Sequence, residues 1–227
     1  MSIPSVSSVF SMTTKNQKTE YADSASNVQE LINIIQEEKK YCFSIIKQYV
    51  PVQREPKVHI VVGEPDLKFS DGKRYPTWIK ALSIRDNVYL LVDRGMWTRS
   101  ITINTLIHEL LHSAIWIYYG TSKYIPVWFN EALAHWITKV ENIRDSHYLD
   151  KTEDKQKKDI TNVHGEQWFD NSRVNAQIEV MVSYLLSSDT QSKDIHNLLR
   201  SVKEGEEFTS AARRILNLNI LQNMTVS

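Results

Sequence analysis

His108-Glu109-Leu110-Leu111-His112, followed after eighteen intervening residues by Glu131, restricts this chain more than any other feature. Residues four apart share one face of an α-helix, so His108 and His112 can turn two imidazoles toward a single metal ion. Glu109 sits roughly 100° round the same helix, within reach of a metal-bound water without being a ligand. A catalytic zinc commonly takes three protein ligands and leaves one position for water, and two histidines with a carboxylate are one of its sets. The spacing therefore predicts a metal site of His108, His112 and Glu131 around one Zn2+ per chain, with Glu109 as the catalytic base. It also demands a second element that returns Glu131 to the histidine helix.

The surroundings favour that reading over a simpler one. The flanks Thr105-Leu106-Ile107 and Ser113-Ala114-Ile115 are uncharged and mostly apolar, which marks a buried helix. Two histidines and a glutamate are costly in such a place unless paired or metal-bound. The simpler reading keeps the histidines hydrogen-bonded and pairs Glu109 with a distant Lys or Arg. A zinc pattern that continues with Gly and then His, three and six residues past His112, is excluded by Ile115 and Tyr118. Pro126 to Val140 reads as the second helix, with Pro126 suited to its first turn and Trp128, Phe129, Ala132 and Ala134 arguing against a solvated face. Gly120 is the expected C-cap of the first.

Together, Thr105 to His112 and Pro126-Val127-Trp128-Phe129-Asn130-Glu131-Ala132-Leu133-Ala134 resemble the zinc segments of the gluzincins. These are thermolysin-like zinc metallopeptidases, and the small peptidase MA-like domains among them are the nearest in kind. Glu207 to Leu216 is similar, less specifically, to a C-terminal helix of those domains, so the resemblance spans residues 57 to 222. It implies an α+β, mostly helical, zincin-like metallopeptidase domain with a small mixed or antiparallel sheet before the zinc helix. It also implies hydrolysis of peptide bonds in a protein or peptide substrate. The aminopeptidases of the group recognise a free amine with a Gly-x-Met-Glu-Asn stretch that this chain lacks, which favours an endopeptidase. Three positions depart from the family pattern. Ala132 stands where close relatives have Gly. His135 stands where thermolysin-like enzymes carry an Asp that orients a zinc-bound His, leaving roles as an outer partner, an extra ligand or a packing residue. The family's oxyanion-stabilising Tyr has Asn175 in the aligned place, and the candidate donors are then Tyr148, His164, Tyr184 and His147.

Along the chain, residues 1–25 are rich in Ser and Thr and read as a flexible tail, leaving 26–227 as a single domain. Ser24 or Ser26 is a candidate cap for a helix whose apolar residues run from Val28 to Val50 and which stops before Pro51. Lys57 to Gly63 is β-rich. Trp78 to Ser83 and Val88 to Asp93 read as a hairpin around Arg85-Asp86-Asn87. By family analogy Val88 to Val92 is a candidate edge strand that binds substrate backbone, with an interior position as the alternative. Between Glu141 and Arg173 the pattern dissolves into a charged run, Asp150 to Asp159, and a segment bearing His147, Tyr148, His164, Trp168 and Phe169. Such a segment is a candidate lid. Helices follow at Val174 to Leu186, Ser192 to Val202 and Glu207 to Leu216, and Tyr184 is first a packing residue of the earliest of these.

Charge and composition close off other classes. The 27 basic and 27 acidic residues balance, so no overall field draws the chain to nucleic acid or to a membrane surface. The single Cys42 excludes an internal disulfide. No apolar stretch reaches spanning length, and the first ten residues lack the basic start and apolar run of a secretory signal; a cytoplasmic location is the expectation. Two rivals to an active peptidase stand at this point. One is a metal-holding relative without catalysis, and the other is a metal-free helical interaction protein.

Overall fold

The computed structural model describes residues 20–62, 79–92, 97–121, 124–144 and 172–218. In chain order the elements are α1 (Glu20–Tyr49), β1 (Lys57–Val61), β2 (Ala81–Ile84), β3 (Asn87–Leu91), α2 (Arg99–Tyr119), α3 (Val127–Arg144), α4 (Ser172–Ser187), α5 (Ser192–Lys203) and α6 (Phe208–Leu216). The architecture is α+β and mostly helical, with a three-stranded mixed sheet.

α1 forms because Leu31, Ile34, Ile35, Cys42, Phe43, Ile45, Ile46 and Tyr49 recur at helical spacing, and all of them are buried. It ends before Pro51 as expected. It begins at Glu20, within the stretch read as tail, so Ser24 and Ser26 lie inside the helix rather than ahead of it. α1 packs chiefly along α2. Arg99, in the first turn of α2, reaches back to both Glu37 and Glu38 of α1. These pairs are exposed and contribute little beside the apolar seam. Burial also pushes the Cys42 thiol up to about 12, with the Glu38 charge adding to the effect, so this cysteine is an inert core residue.

α2 is the centre of the molecule, touching α1, α3, β2 and β3. Leu106, Ile107, Leu110, Leu111, Ala114 and Ile115 are each no more than 2% exposed. Each of these Leu and Ile side chains contributes roughly 1.5–3 kcal/mol of burial energy. Thr98 caps the helix, its hydroxyl accepting from the Ile101 amide at 3.3 Å. Gly120 ends it at φ 74°, a left-handed turn whose amide bonds back to the Trp116 carbonyl at 2.7 Å.

The structure sharpens the sequence reading of the sheet at two points. First, the hairpin turn is only Arg85 and Asp86; Arg85 takes φ 57°, which closes the turn in two residues and lets Asn87 pair with Ile84 at once. Second, the strand order is β1-β3-β2, with β1 parallel and β2 antiparallel to β3. β3 is therefore interior, and its backbone is taken on both sides. β2 is the edge strand that contacts α2, and no described strand covers its outer side. The Leu91 amide donates to the Lys80 carbonyl at 2.8 Å. Antiparallel alternation then turns the backbone groups of Lys80, Leu82 and Ile84 toward β3, and those of Ala81 and Ser83 to the open side.

α3 is the second layer against α2, and α4 packs on α3. Pro126 sits one residue before α3 rather than in its first turn, its carbonyl accepting from the Phe129 and Asn130 amides at 3.0 Å each. α5 and α6 pack on one another, and α5 also meets α1. Phe208 of α6 meets Phe129 of α3 edge-on, with ring centroids 4.9 Å apart. No described helix is long and apolar enough to cross a membrane.

Candidate metal centre

The polar strip on α2 is narrow. Asn104, Thr105, His108, Glu109 and His112 are half-buried on a helix whose other flanks are in the core. His108 and His112 stand one turn apart with ring centroids 4.7 Å apart and planes at 87°. Their Nε2 atoms approach to 3.1 Å. The left-handed stop at Gly120 and the restart at Val127 fold α3 back along α2. Phe129, Ala132, Leu133 and Ala134 are all fully buried there, and this fixes the rotation of α3. That rotation delivers Glu131, whose Oε2 lies 3.4 Å from His108 Nε2 and whose Oε1 lies 3.4 Å from His112 Nε2.

These spacings can be tested against an ion. Zinc bonds of about 2.1 Å in a tetrahedron hold neighbouring donors about 3.4 Å apart. The two imidazole nitrogens and the Glu131 carboxylate, which offers a different oxygen to each of them, approach that separation pairwise, and His108, His112 and Glu131 are the group among the described residues whose ligand atoms converge closely enough to hold a metal. Their side chains are 22%, 12% and 17% exposed, so the site is sheltered but open to solvent on one side.

Charge and hydrogen bonding shift the titration of two members of the trio. Burial alone would push His112 down, but the Glu131 carboxylate beside it and their hydrogen bond prevail, raising His112 to about 9. Glu109 adds a smaller pull in the same direction, which places its charge close to His112. For Glu131, burial works upward, yet the neighbouring His112 charge and hydrogen bonds from both histidines hold the carboxyl well below its usual range. A shared proton and a divalent cation are interchangeable occupants of such a donor set.

The back of the site holds a residue with no role assigned from sequence. His112 Nδ1 is buried with no hydrogen-bond partner, and so is Asn130 Oδ1, one residue before Glu131. The Asn130 side chain also acts on His112 as a hydrogen-bonding group that raises its pKa. With Nε2 committed to a metal, Nδ1 must carry the proton, and Asn130 Oδ1 is the acceptor at hand. The sequence signal for Asn130 was its place directly before the third ligand. Asn104, one turn before His108, has a similarly unpartnered buried amide oxygen.

The other anticipated residues fall as follows. Glu109 is half-buried beside the trio and outside it. His135, one turn after Glu131, sets its ring against His108 with centroids 5.0 Å apart and planes at 65°. Tyr184 is brought away from an oxyanion role, because its hydroxyl donates to the Leu216 carbonyl and ties α4 to the end of α6. Asn175 lies half-buried in the first turn of α4. His147, Tyr148, His164, Trp168, Phe169 and the Asp150–Asp159 run lie outside the described residues. No protein-family model, no curated protein and no solved structure matches this chain.

Proposed function

We propose that this chain is a zinc metallopeptidase of the gluzincin type, with a zincin-like core, that cleaves within protein or peptide chains. One observation carries the reading. Two imidazole nitrogens of one helix and the carboxylate of another converge closely enough to share one ion, with a further carboxylate, Glu109, beside them and outside the group. His108, His112 and Glu131 hold the ion. A bound zinc supplies Lewis acidity, bringing the pKa of water toward 7 and polarising a carbonyl. Glu109 takes the proton of the attacking water and passes it to the leaving amine. Two neutral imidazoles and a single carboxylate leave the occupied site net positive, which suits the charge that develops on the carbonyl oxygen. The open edge of β2 lies beside α2, and the outward backbone groups of Ala81 and Ser83 can take an extended peptide as an added strand. This replaces β3 as the docking strand.

The test compares wild type with Glu109→Gln, both purified without a metal-binding tag. Elemental analysis should find about one zinc per chain in each. Cleavage of a peptide library should fall by about 10²–10⁴-fold in the variant. Zinc without cleavage in wild type makes the protein a metal-holding module rather than an enzyme. Absence of zinc after reconstitution makes the histidine pattern structural.

A further inference from the structure

Outside the metal centre, α5 carries a row of cations that its own hydrogen bonding does not explain. Lys193, Arg200 and Lys203 are exposed and fall on one side of the helix, over a length of about 15 Å. Among the described residues none of the three pairs with a carboxylate, whereas Arg54, Arg99 and Arg214 each do. Arg200 donates to His196 Nε2 at 3.1 Å, and one such acceptor leaves most of its N–H groups open to a ligand. Lys203 reaches across to α2. Its ammonium donates to the Tyr118 carbonyl and lies 3.9 Å from the centre of the Tyr118 ring.

Aromatic rings continue from that point as a step. Tyr118 meets Tyr119 with centroids 5.0 Å apart, and Tyr119 meets Tyr124 at 5.3 Å. Tyr124 is 50% exposed, and Val127, three residues on, is 53% exposed. A cationic row therefore joins an apolar step at the C-terminal end of the helix that carries His108 and His112. We propose that this surface docks an acidic, extended segment of a protein, with carboxylates along α5 and an apolar side chain against Tyr124 and Val127. Its use for holding a substrate away from the cleavage point rests on the peptidase reading; the docking itself requires no metal.

The placement of charge selects a polypeptide over other polyanions. Asp194 stands at the start of the row, and Glu204 caps α5 beside Lys203, with Glu206 and Glu207 beyond it. A nucleic-acid backbone or an anionic membrane would run past both ends and meet those carboxylates. Nor does the whole chain, with 27 basic and 27 acidic residues, attract polyanions from a distance. A short acidic segment fits between the ends. A length of about 15 Å is roughly five residues of extended chain, and side-chain alternation then sets two or three carboxylates on one face. Arg200 suits such a partner, because a guanidinium binds a carboxylate through two parallel N–H groups.

The test uses the full chain carrying Glu109→Gln, so that the probe is not consumed. Fluorescence anisotropy follows a labelled ten-residue peptide with Glu at three alternate positions and a terminal Leu. It should bind about tenfold or more tighter than the same peptide with Gln in place of Glu, and salt above about 0.15 M should weaken it. Lys193→Gln combined with Arg200→Gln should cost about tenfold in affinity at an unchanged melting temperature, and Tyr124→Ala a smaller factor. Arg200→Lys keeps the charge and should retain most of the binding. The inference is overturned if the Glu and Gln peptides bind alike, or if the doubly neutralised variant binds as its parent does. It is equally overturned if single-stranded DNA or phosphatidylserine vesicles displace the peptide at lower concentration than the unlabelled peptide does, since the row then reads phosphate. Peptide binding by a chain that takes up no zinc would sink the peptidase reading and leave the docking surface standing. A zinc-loaded, cleaving wild type whose Glu109→Gln form ignores the peptide would do the reverse.

Discussion

α2 with α3, and α5 with α6, are both helix pairs packed face to face, yet they treat polar residues in opposite ways. In α5 and α6 the acidic groups serve the helices that carry them. Asp194 closes a capping box with Gln191, Glu207 caps α6 through the Ser210 amide at 2.8 Å, and Arg214 pairs with Glu206 at 2.6 Å on the surface. The apolar side is a clean stripe of Ile195, Leu198, Leu199 and Val202. In α2 and α3 some polar residues serve the helix too, as Thr98, Thr102 and Thr138 do, but those between the two helices turn toward one another instead. Buried His112 Nδ1 and Asn130 Oδ1 bond to neither helix backbone, and the Asn130 side chain acts instead on His112. Local rules hold where a seam is only structural and fail where it is built for something else.

The sharpest way to break this contrast is to exchange the two kinds of damage. Leu198→Ala removes a fully buried side chain of α5 and should cost about 2–5 kcal/mol in thermal unfolding, with zinc per chain unchanged. Glu131→Ala should lose most of the zinc. If Leu198→Ala alone emptied the site, or Glu131→Ala kept a full complement, the division between the two pairs would be wrong.

The orphaned atoms offer the next test. If Asn130 anchors the second ligand, Asn130→Ala should weaken zinc about 10–100-fold in chelator competition. The same substitution leaves the apolar seam between α2 and α3 intact, so the metal-free chain should lose little stability. A large loss of metal-free stability with unaltered zinc affinity would make Asn130 a packing residue and leave the orphan unexplained.

The two pairs were legible to different depths for the same reason. Apolar spacing is a local signal, and it located α1, α5 and α6 with ends near Pro51, Lys203 and Leu216. The i, i+4 relation of His108 and His112 is local too, which is why the donor pair could be read from five residues. Strand order is not local. The parallel pairing of β1 with β3 passes over β2 in sequence, and no alternation of side chains announces it. The turn was located to within one residue: Arg85 adopts a left-handed conformation, uncommon for a residue with a side chain, and this closes the turn before Asn87. Asn130 was hidden by packing. Its meaning depends on which ring nitrogen α3 approaches, and only the rotation set by Phe129 and Leu133 decides that. Tyr184 shows the reverse case, an aromatic whose hydroxyl found a carbonyl within the core framework.

Protons sharpen the contrast further. His112 is raised to about 9 in the metal-free chain, so below that pH a proton occupies the nitrogen that zinc requires. Apparent zinc affinity should fall about tenfold per pH unit from 9 downward for this group, while Glu131, held low, stays ionised. The stability of the metal-free chain should run the other way. A folded pKa above the unfolded one contributes fully below about 6.5 and is lost as pH rises through about 9. Melting curves and chelator titrations across pH 6–9 would show opposite slopes; parallel or flat ones would mean His112 does not titrate against Glu131.

The smallest effect is expected at the other end of the molecule, and it should titrate at the other end of the pH scale. Glu207 is an exposed cap, and Glu207→Ala should cost about 1 kcal/mol. Its carboxyl is lowered although burial acts slightly upward, because the Thr209 and Ser210 backbone and side chains bond to the charged form. A folded pKa below the unfolded one gives stability that is present above about 4.5 and is lost as pH falls through the lower folded value. The gap between wild type and variant should therefore be full at neutral pH, shrink in acid and leave zinc affinity untouched throughout. If the gap instead tracked zinc occupancy between pH 6 and 9, α6 would be coupled to the metal centre. The route at hand is the Phe208 contact with Phe129, two residues before Glu131, and the two helix pairs would then act as one unit.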